Sequence, residues 1–254
     1  MVRPLAVRRH NEIVQRLRAA GSVSVGELAT VFGVSHETIR RDLKLLADNG
    51  HLDVVHGGAA RRGMMEPSIA QRGEENAAGK LAIARAAARM VADASSLLID
   101  SGTTTAALTQ ELLGRPGLTI FTNSLNHAVT LCRVPGNRVV MLGGEVDNND
   151  EATFGTGTAT GIDSARADVA FIGVGGFAED GGMTDYSVVA AETRGKMIMA
   201  GRAYLLADHT KFTRRTPFRV PNMDKCAGVI VDCMPDRALA SIWADLGWTI
   251  IVAK

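Results

Sequence analysis

The sequence predicts a small α+β unit followed by a larger α/β unit built on a mostly parallel sheet. Two observations carry this expectation. Residues 9–59 hold three short helical patterns and then a small β-branched ribbon ending in Gly57-Gly58. From residue 76 onward, strand-like and helix-like runs alternate, as they do in a parallel sheet covered on both faces. The expected boundaries are 1–60, a linker over 61–75, and 76–254. With 254 residues and 46% hydrophobic content, the chain can bury both cores.

The first helix is expected over Arg9–Ala20, with Ile13 and Leu17 on one face and Gly21 ending it. Ser24-Val25-Gly26-Glu27 is a capping-box pattern, so a second helix starts there and should bury Leu28 and Val31. Gly33 provides the turn, and Ser35 caps a third helix whose apolar stripe is Ile39, Leu43 and Leu46. Gly50 is placed as its C′ residue. The run Leu52–Ala59 suits a wing. Two helices joined by a tight Gly turn, with a wing behind, form a winged helix-turn-helix pattern that reads duplex DNA.

Charge supports that reading. Residues 1–62 carry ten Lys/Arg against six Asp/Glu, and the remainder carries eighteen against twenty-one, so the total of +1 hides a basic N-terminal unit. With the apolar stripe of the third helix turned inward, Ser35, His36 and Thr38 are expected nearest base edges. Arg40, Arg41 and Lys44 are expected to hold phosphates, and His56 lies on the wing.

Composition also excludes several classes. No apolar run reaches the roughly 20 residues of a membrane helix, and Leu5-Ala6-Val7 is cut off by Arg8-Arg9, so export is not expected and a cytoplasmic setting is. Cys132, Cys226 and Cys233 show neither a disulfide framework nor metal spacing and are expected to be buried free thiols. Aromatic content of 4% disfavours a single-strand platform. No cofactor or metal is expected.

In the larger unit, helices are expected over 76–92, Thr104–Leu113 and Leu125–Leu131 and near 188–200 and 235–245. Strands are expected at Ser96–Ile99, Leu118–Thr122, Arg138–Leu142, Val169–Ile172, Ala203–Ala207, Ala227–Val231 and Thr249–Val252. Ligands on such sheets sit beyond the strand C-termini, so the residues after each strand matter most. Asp100-Ser101-Gly102-Thr103-Thr104-Thr105 enters a helix and suits a phosphate, although an ordinary threonine cap would use the same residues. Asn123 follows the next strand, and Gly143-Gly144 the one after. Gly173-Val174-Gly175-Gly176-Phe177-Ala178 matches G-x-G-x-x-A, but Glu179-Asp180-Gly181-Gly182 follows it as a turn, so no helix dipole faces a pyrophosphate there. Asp208-His209-Thr210-Lys211-Phe212 ends a further strand with a cation. Converging on one sheet edge, these loops predict an anion clamp. Gly102, Thr103 and Thr104 would bind the phosphate and Lys211 would add a point charge. Gly143 and Gly144 would let backbone approach the ligand, with Gly175 also in the effector set, and Asp100, Asn123, Asp185 and Glu192 would select hydroxyls.

The N-terminal residues resemble the DeoR/GlpR family of bacterial transcriptional regulators. The shared motifs are R-H-x-x-I, G-x-V-x-V-x-E-L-A, F-G-V-S-x-x-T-I-R-R-D-L-x-x-L and H-G-G-A, in order and at family spacing. Asp53-Val54-Val55 departs from the family's usual basic residue, which bears on a wing phosphate contact and not on the recognition helix. Residues 76–232 resemble the family's effector domain, itself similar to the ribose-5-phosphate isomerase fold, through Ile99–Thr104, Thr122-Asn123, Gly143-Gly144, Asp168–Gly173, Glu192 and Asp208–Phe212. The resemblance implies operator DNA, a phosphorylated sugar or polyol effector, and a dimer or tetramer.

Two functions compete: a repressor controlled by a phosphorylated metabolite, and a sugar-phosphate isomerase with a helical appendage. Glu192, Asp185 and Lys211 could be cast as acid–base groups. The isomerase group resembles D-G-A-D after the corresponding strand, where this chain has Gly173-Val174-Gly175-Gly176. H-E-x-x-H and G-x-S-x-G are also absent. The regulator is the better reading, and no catalytic residue is assigned.

Overall fold

The computed structural model describes residues 6–55, 57–60 and 66–254. The N-terminal unit runs α1 (Ala6–Ala20), β1 (Ser22–Ser24), α2 (Val25–Phe32), α3 (His36–Asp48), β2 (Asp53–Val55) and β3 (Gly58–Ala60). Ser24 caps α2 by accepting from the Glu27 N–H at 3.0 Å, and Ser35 caps α3 by accepting from the Thr38 N–H at 3.2 Å. Gly33 takes φ 62° between the two helices, as the turn requires. Ile13, Leu17, Leu28, Phe32, Ile39, Leu43 and Leu46 form one core.

Two expectations for this unit need correction. Val31 is 45% exposed, and Phe32 is buried in its place, because the inward face of α2 follows Leu28 by i, i+4. The wing also gains a third strand, since β1 pairs with β3 antiparallel in the order β1-β3-β2. Gly58 allows this approach, as a Cβ there would lie 2.1 Å from the Val23 carbonyl oxygen.

The larger unit begins with α4 (Ile69–Glu74), α5 (Ala77–Ala88), β4 (Ser96–Ile99), α6 (Thr103–Glu111), β5 (Thr119–Thr122), α7 (Leu125–Leu131) and β6 (Arg138–Met141). It continues through β7 (Glu145–Asp147), β8 (Ala152–Phe154), α8 (Thr156–Ser164), β9 (Val169–Gly173), β10 (Gly176–Phe177), β11 (Met183–Asp185) and α9 (Val188–Met199). Last come β12 (Arg202–Ala207), β13 (Phe218–Arg219), β14 (Gly228–Val231), α10 (Arg237–Asp245) and β15 (Thr249–Val252). Seven parallel strands form one sheet in the order β15-β14-β12-β9-β4-β5-β6.

Alternate residues of the strands feed two cores. Leu97, Ile99, Ile120, Phe171, Leu206 and Ile230 pack with Ile83, Leu108 and Leu131 of α5, α6 and α7. Leu98, Ile172, Leu205 and Val231 pack with Ile162, Met197 and Trp243 of α8, α9 and α10. Both faces are therefore covered, as near-continuous apolar strands require. The strand order runs outward to one side from β4 through β6, then returns to place β9 on the other side of β4. A crevice opens at that switch, beyond the strand C-termini.

The segment read as a linker is corrected in part, because α4 occupies Ile69–Glu74 behind a full capping box from Ser68 and Gln71. The hairpin β7–β8 and helix α8 are further elements that the sequence reading did not assign. Cys226 is buried, but Cys132 and Cys233 are exposed, and all three thiols are free. Among the described residues, no helix is long and apolar enough to cross a membrane.

Candidate functional site

At the β4/β9 switch, the chain leaves β4 through Asp100-Ser101-Gly102 and enters α6. Gly102 is the N-cap residue at φ 125°, and no side chain caps the helix, so the threonine-cap alternative is not what this loop does. The Thr105 hydroxyl instead donates back to the Gly102 carbonyl at 2.9 Å. The first N–H groups of α6 thus face a cleft lined by Ser101, Gly102, Thr103, Thr104, Gly173, Gly175, Lys211 and Arg214, with Glu66, Arg72, Tyr186 and Arg194 around them. Its cavity volume is about 30 Å³. Ser101 Oγ, Arg72 Nε and Arg214 Nη1 are buried there without a hydrogen-bond partner, a costly state that a ligand would relieve.

Cations and carboxylates alternate around the cleft. Arg194 on α9 pairs with Asp100, Nε to Oδ2 at 2.7 Å, and with Asp185. Burial works against the Arg194 charge, but these two carboxylates hold its pKa well above the usual arginine value. Arg72 on α4 pairs with Glu66 and Asp150. Burial, helped by Asp150, pushes the Glu66 carboxyl up to about 8. Lys211 and Arg214 share Glu75. Burial pushes the Lys211 pKa down, and the His127 ring, buried beneath the loop, is driven down to about 4.

Of the residues expected to bind effector, Gly102, Thr103, Thr104, Gly175 and Lys211 meet at this cleft. Asp100 and Asp185 border it, fully or almost fully buried and both engaged by Arg194, with Asp100 Oδ1 left without a hydrogen-bond partner. Asn123 is a brace. Its Oδ1 accepts from the Ser101 N–H at 3.0 Å, and its amide donates to the Thr153 carbonyl at 3.4 Å. Gly144 serves a close backbone crossing, because a Cβ there would lie 2.3 Å from the Phe154 carbonyl oxygen, whereas a Cβ on Gly143 would meet open space. Glu192 is exposed on α9, whereas the inward face of that helix carries Arg194. The sequence reading missed Glu66, Arg72, Glu75, Tyr186, Arg194 and Arg214. A parity argument on α9 could have found Arg194, since Ala190, Ala191, Arg194, Met197 and Ile198 share the i, i+3, i+4, i+7 face.

A second cavity of about 220 Å³ adjoins the cleft through Glu66 and Tyr186. Val54 and Val55 of the wing and Phe154 form its apolar walls, and Asp147, Asn149 and Asp150 its polar ones. The two units also touch where the Ser22 hydroxyl donates to the Pro217 carbonyl at 3.0 Å.

On α3, His36, Arg40, Arg41 and Lys44 are exposed and Thr38 is half-buried. Ser35 is committed to capping, with its hydroxyl 2.9 Å from that of Thr38. Arg40 lies 3.8 Å from Glu37, an exposed pair that competes little with phosphate. Arg40 and Lys44 also line a wide cavity, about 750 Å³, whose far wall includes Glu145 and Val189. Asp42 turns inward, where Arg9 and His10 of α1 grip it at 2.5 and 2.8 Å. His56 lies outside the described residues. Among those residues, His209, Asp232 and Cys233 form one group whose ligand atoms all lie within 4.8 Å and could hold a metal ion. The His209 ring already bonds Asp232 at 2.6 Å.

Comparison with known proteins matches these two units separately. A DeoR-like helix-turn-helix domain covers residues 9–62, and a DeoR C terminal sensor domain covers residues 75–233. The chain is 32% identical to the glycerol-3-phosphate regulon repressor of Escherichia coli, over 93% of this chain and 95% of that protein. It is 31% identical to the HTH-type transcriptional repressor CsqR of the same organism, over 97% and 95%. Ribose 5-phosphate isomerase A of Methanocaldococcus jannaschii superposes with a TM-score of 0.41 at 17% identity, covering 55% of this chain and 56% of that one. With the helix-turn-helix and the sensor domain both matched in order, the chain belongs to the DeoR family.

Proposed function

We propose that this protein is a cytoplasmic DNA-binding repressor of a carbohydrate or polyol catabolic operon, controlled by a phosphorylated sugar or polyol. The observation that carries the reading is the uncapped N-terminus of α6 facing Lys211 and Arg214 across a cleft with the unpaired Ser101 hydroxyl. Backbone N–H groups, a helix dipole and two cations together form a phosphate cradle. The adjoining cavity, with Glu66, Asp147 and Asn149, offers acceptors for hydroxyls and ends on the wing. Ser35, His36, Thr38, Arg40, Arg41 and Lys44 form the DNA-facing set, and His56 is proposed with them. One recognition helix covers only a few base pairs, so the working unit is at least a dimer on a repeated or palindromic site.

A non-enzymatic role is supported by what surrounds the cleft. The Gly173–Gly176 loop carries no carboxylate, Asp100 and Asp185 are tied to Arg194, and Glu192 points away. A thermal-shift panel of sugar, polyol and triose phosphates beside their dephosphorylated forms tests the reading, because a ligand of the native state raises its stability by mass action. Stabilisation by a phosphate ester alone is expected. Equal stabilisation by both forms, or by neither, would count against the phosphate cradle.

A further inference from the structure

Glu75 bridges the two cations that the phosphate reading assigns to the ligand's anion. Its Oε1 lies 2.5 Å from Arg214 Nη2 and its Oε2 3.4 Å from Lys211 Nζ. Every other cation of the cleft has carboxylates of its own, Arg194 with Asp100 and Asp185, and Arg72 with Glu66 and Asp150. The space beside these cations is about 30 Å³, roughly two waters and less than a phosphate group needs, while the adjoining cavity of about 220 Å³ is open to the rest of the ligand. Something must therefore move before a phosphate ester can enter.

The three carboxylate groups are not equally movable. Asp100 and Asp185 are at most 2% exposed, so displacing either would strand a charge in the interior. Asp150 is 7% exposed and is equally confined. The Glu75 side chain is 36% exposed and has water to turn into. It is also the residue that ends α4, in the segment joining the two units.

Resting on the phosphate reading above, we propose that Glu75 occupies the anion subsite of the ligand-free cleft and that a phosphate ester binds by displacing it. The device also selects. A ligand carboxylate would exchange one carboxylate for another and forfeit the high effective concentration of the tethered one. A phosphate dianion adds charge and oxygens that reach the α6 N–H groups and the Ser101 hydroxyl while still bridging Lys211 and Arg214. Sugar acids are thereby rejected. Burial alone would raise the Glu75 carboxyl, but Arg214 and Lys211 hold it below its usual range, so the competitor stays ionised at neutral pH. Displacement frees the C-terminal end of α4, which gives pocket occupancy a route toward the DNA-binding unit.

Calorimetric titration of the full chain with inorganic phosphate tests this, using the wild type, Glu75→Gln and Glu75→Asp. Glu75→Gln should bind phosphate roughly tenfold tighter, as expected when a charge-assisted competitor is removed, and Glu75→Asp should fall between. Hydrogen exchange over residues 69–76 should rise on adding phosphate to the wild type and be raised already in Glu75→Gln. Equal or weaker phosphate binding by Glu75→Gln, with binding by the wild type intact, overturns the displacement and leaves the phosphate cradle standing. Binding by none of the three proteins overturns both.

Discussion

Arg194 reaches from α9 to Asp100 at the end of β4, Nε to Oδ2 at 2.7 Å, and both side chains lie in the interior. The same guanidinium takes Asp185 from β11, while Asp100 Oδ2 also accepts from the Gly173 N–H at 3.1 Å. One cation thus ties together β4, β9, β11 and α9 at the edge where the cleft opens. Such a bridge adds little net stability over an apolar replacement, yet removing the shared cation is costly, because two carboxylates are then left buried without it.

Arg194→Ala should therefore destabilise the larger unit by about 3–5 kcal/mol, since it leaves Asp100 and Asp185 buried without their cation. Urea unfolding monitored by tryptophan fluorescence checks this, since Trp243 and Trp248 are both buried in that unit. A destabilisation below about 1 kcal/mol would show that the pair behaves as a solvated surface bridge.

In the N-terminal unit, Asp42 predicts a pH dependence. Burial would raise its carboxyl, but the Arg9 and His10 hydrogen bonds outweigh burial and hold it below its ordinary value of 3.8. A depressed folded-state pKa contributes stability that is present above the unfolded value and lost as pH falls through the folded one. Acidification below 3.8 should lower the melting temperature of this unit in the wild type, and Asp42→Asn should flatten that acid limb. At pH 7, Asp42→Asn should already cost about 1.5–3 kcal/mol, the worth of charged hydrogen bonds. Circular dichroism melts across pH measure both effects.

On the recognition helix, Arg41→Ala should weaken DNA binding. The slope of log affinity against log salt should fall by about one unit for each phosphate the protein no longer neutralises. Fluorescence anisotropy at several salt concentrations reads the slope. An unchanged affinity and slope in Arg40→Ala, Arg41→Ala and Lys44→Ala combined would remove these residues from the interface.

For the cleft, Lys211→Ala should weaken binding of an active phosphosugar roughly ten- to a hundredfold, the equivalent of one charge-assisted hydrogen bond, with ligand-free DNA affinity nearly intact. Arg214→Ala should match it. Titrating the phosphorylated and dephosphorylated ligands side by side is decisive, since a drop in affinity for both forms alike would place these cations outside the phosphate subsite.

Catalysis should be absent. Purified protein is expected to show no turnover of ribose 5-phosphate or hexose phosphates above a blank, given a Gly173–Gly176 loop without carboxylates. Turnover abolished by Glu192→Gln would overturn the regulator-only reading, and it would require that exposed residue to reach the cleft.

The local patterns of this chain determined most of its fold. Periods of 3.6 and 2 placed α7 and the seven strands of the parallel sheet almost to the residue, because each element must turn one face, or both, to a core. Ser24, Gly33, Ser35 and Gly50 marked the helix ends of the N-terminal unit, since capping and left-handed turns are decisions of one to four residues. The strand-end loops Gly102–Thr104, Gly175 and Lys211 were legible for the same reason, as a parallel sheet sends those ends to one edge. Tertiary structure alone decided which charges remain available. Asp100 and Lys211 look alike as polar residues after a strand, yet one is consumed by Arg194, 94 positions away. The other waits on Glu75, 136 positions away, in a segment that reads locally as a linker. Pairing of charges across such separations follows from strand order and helix packing, and no local period records it.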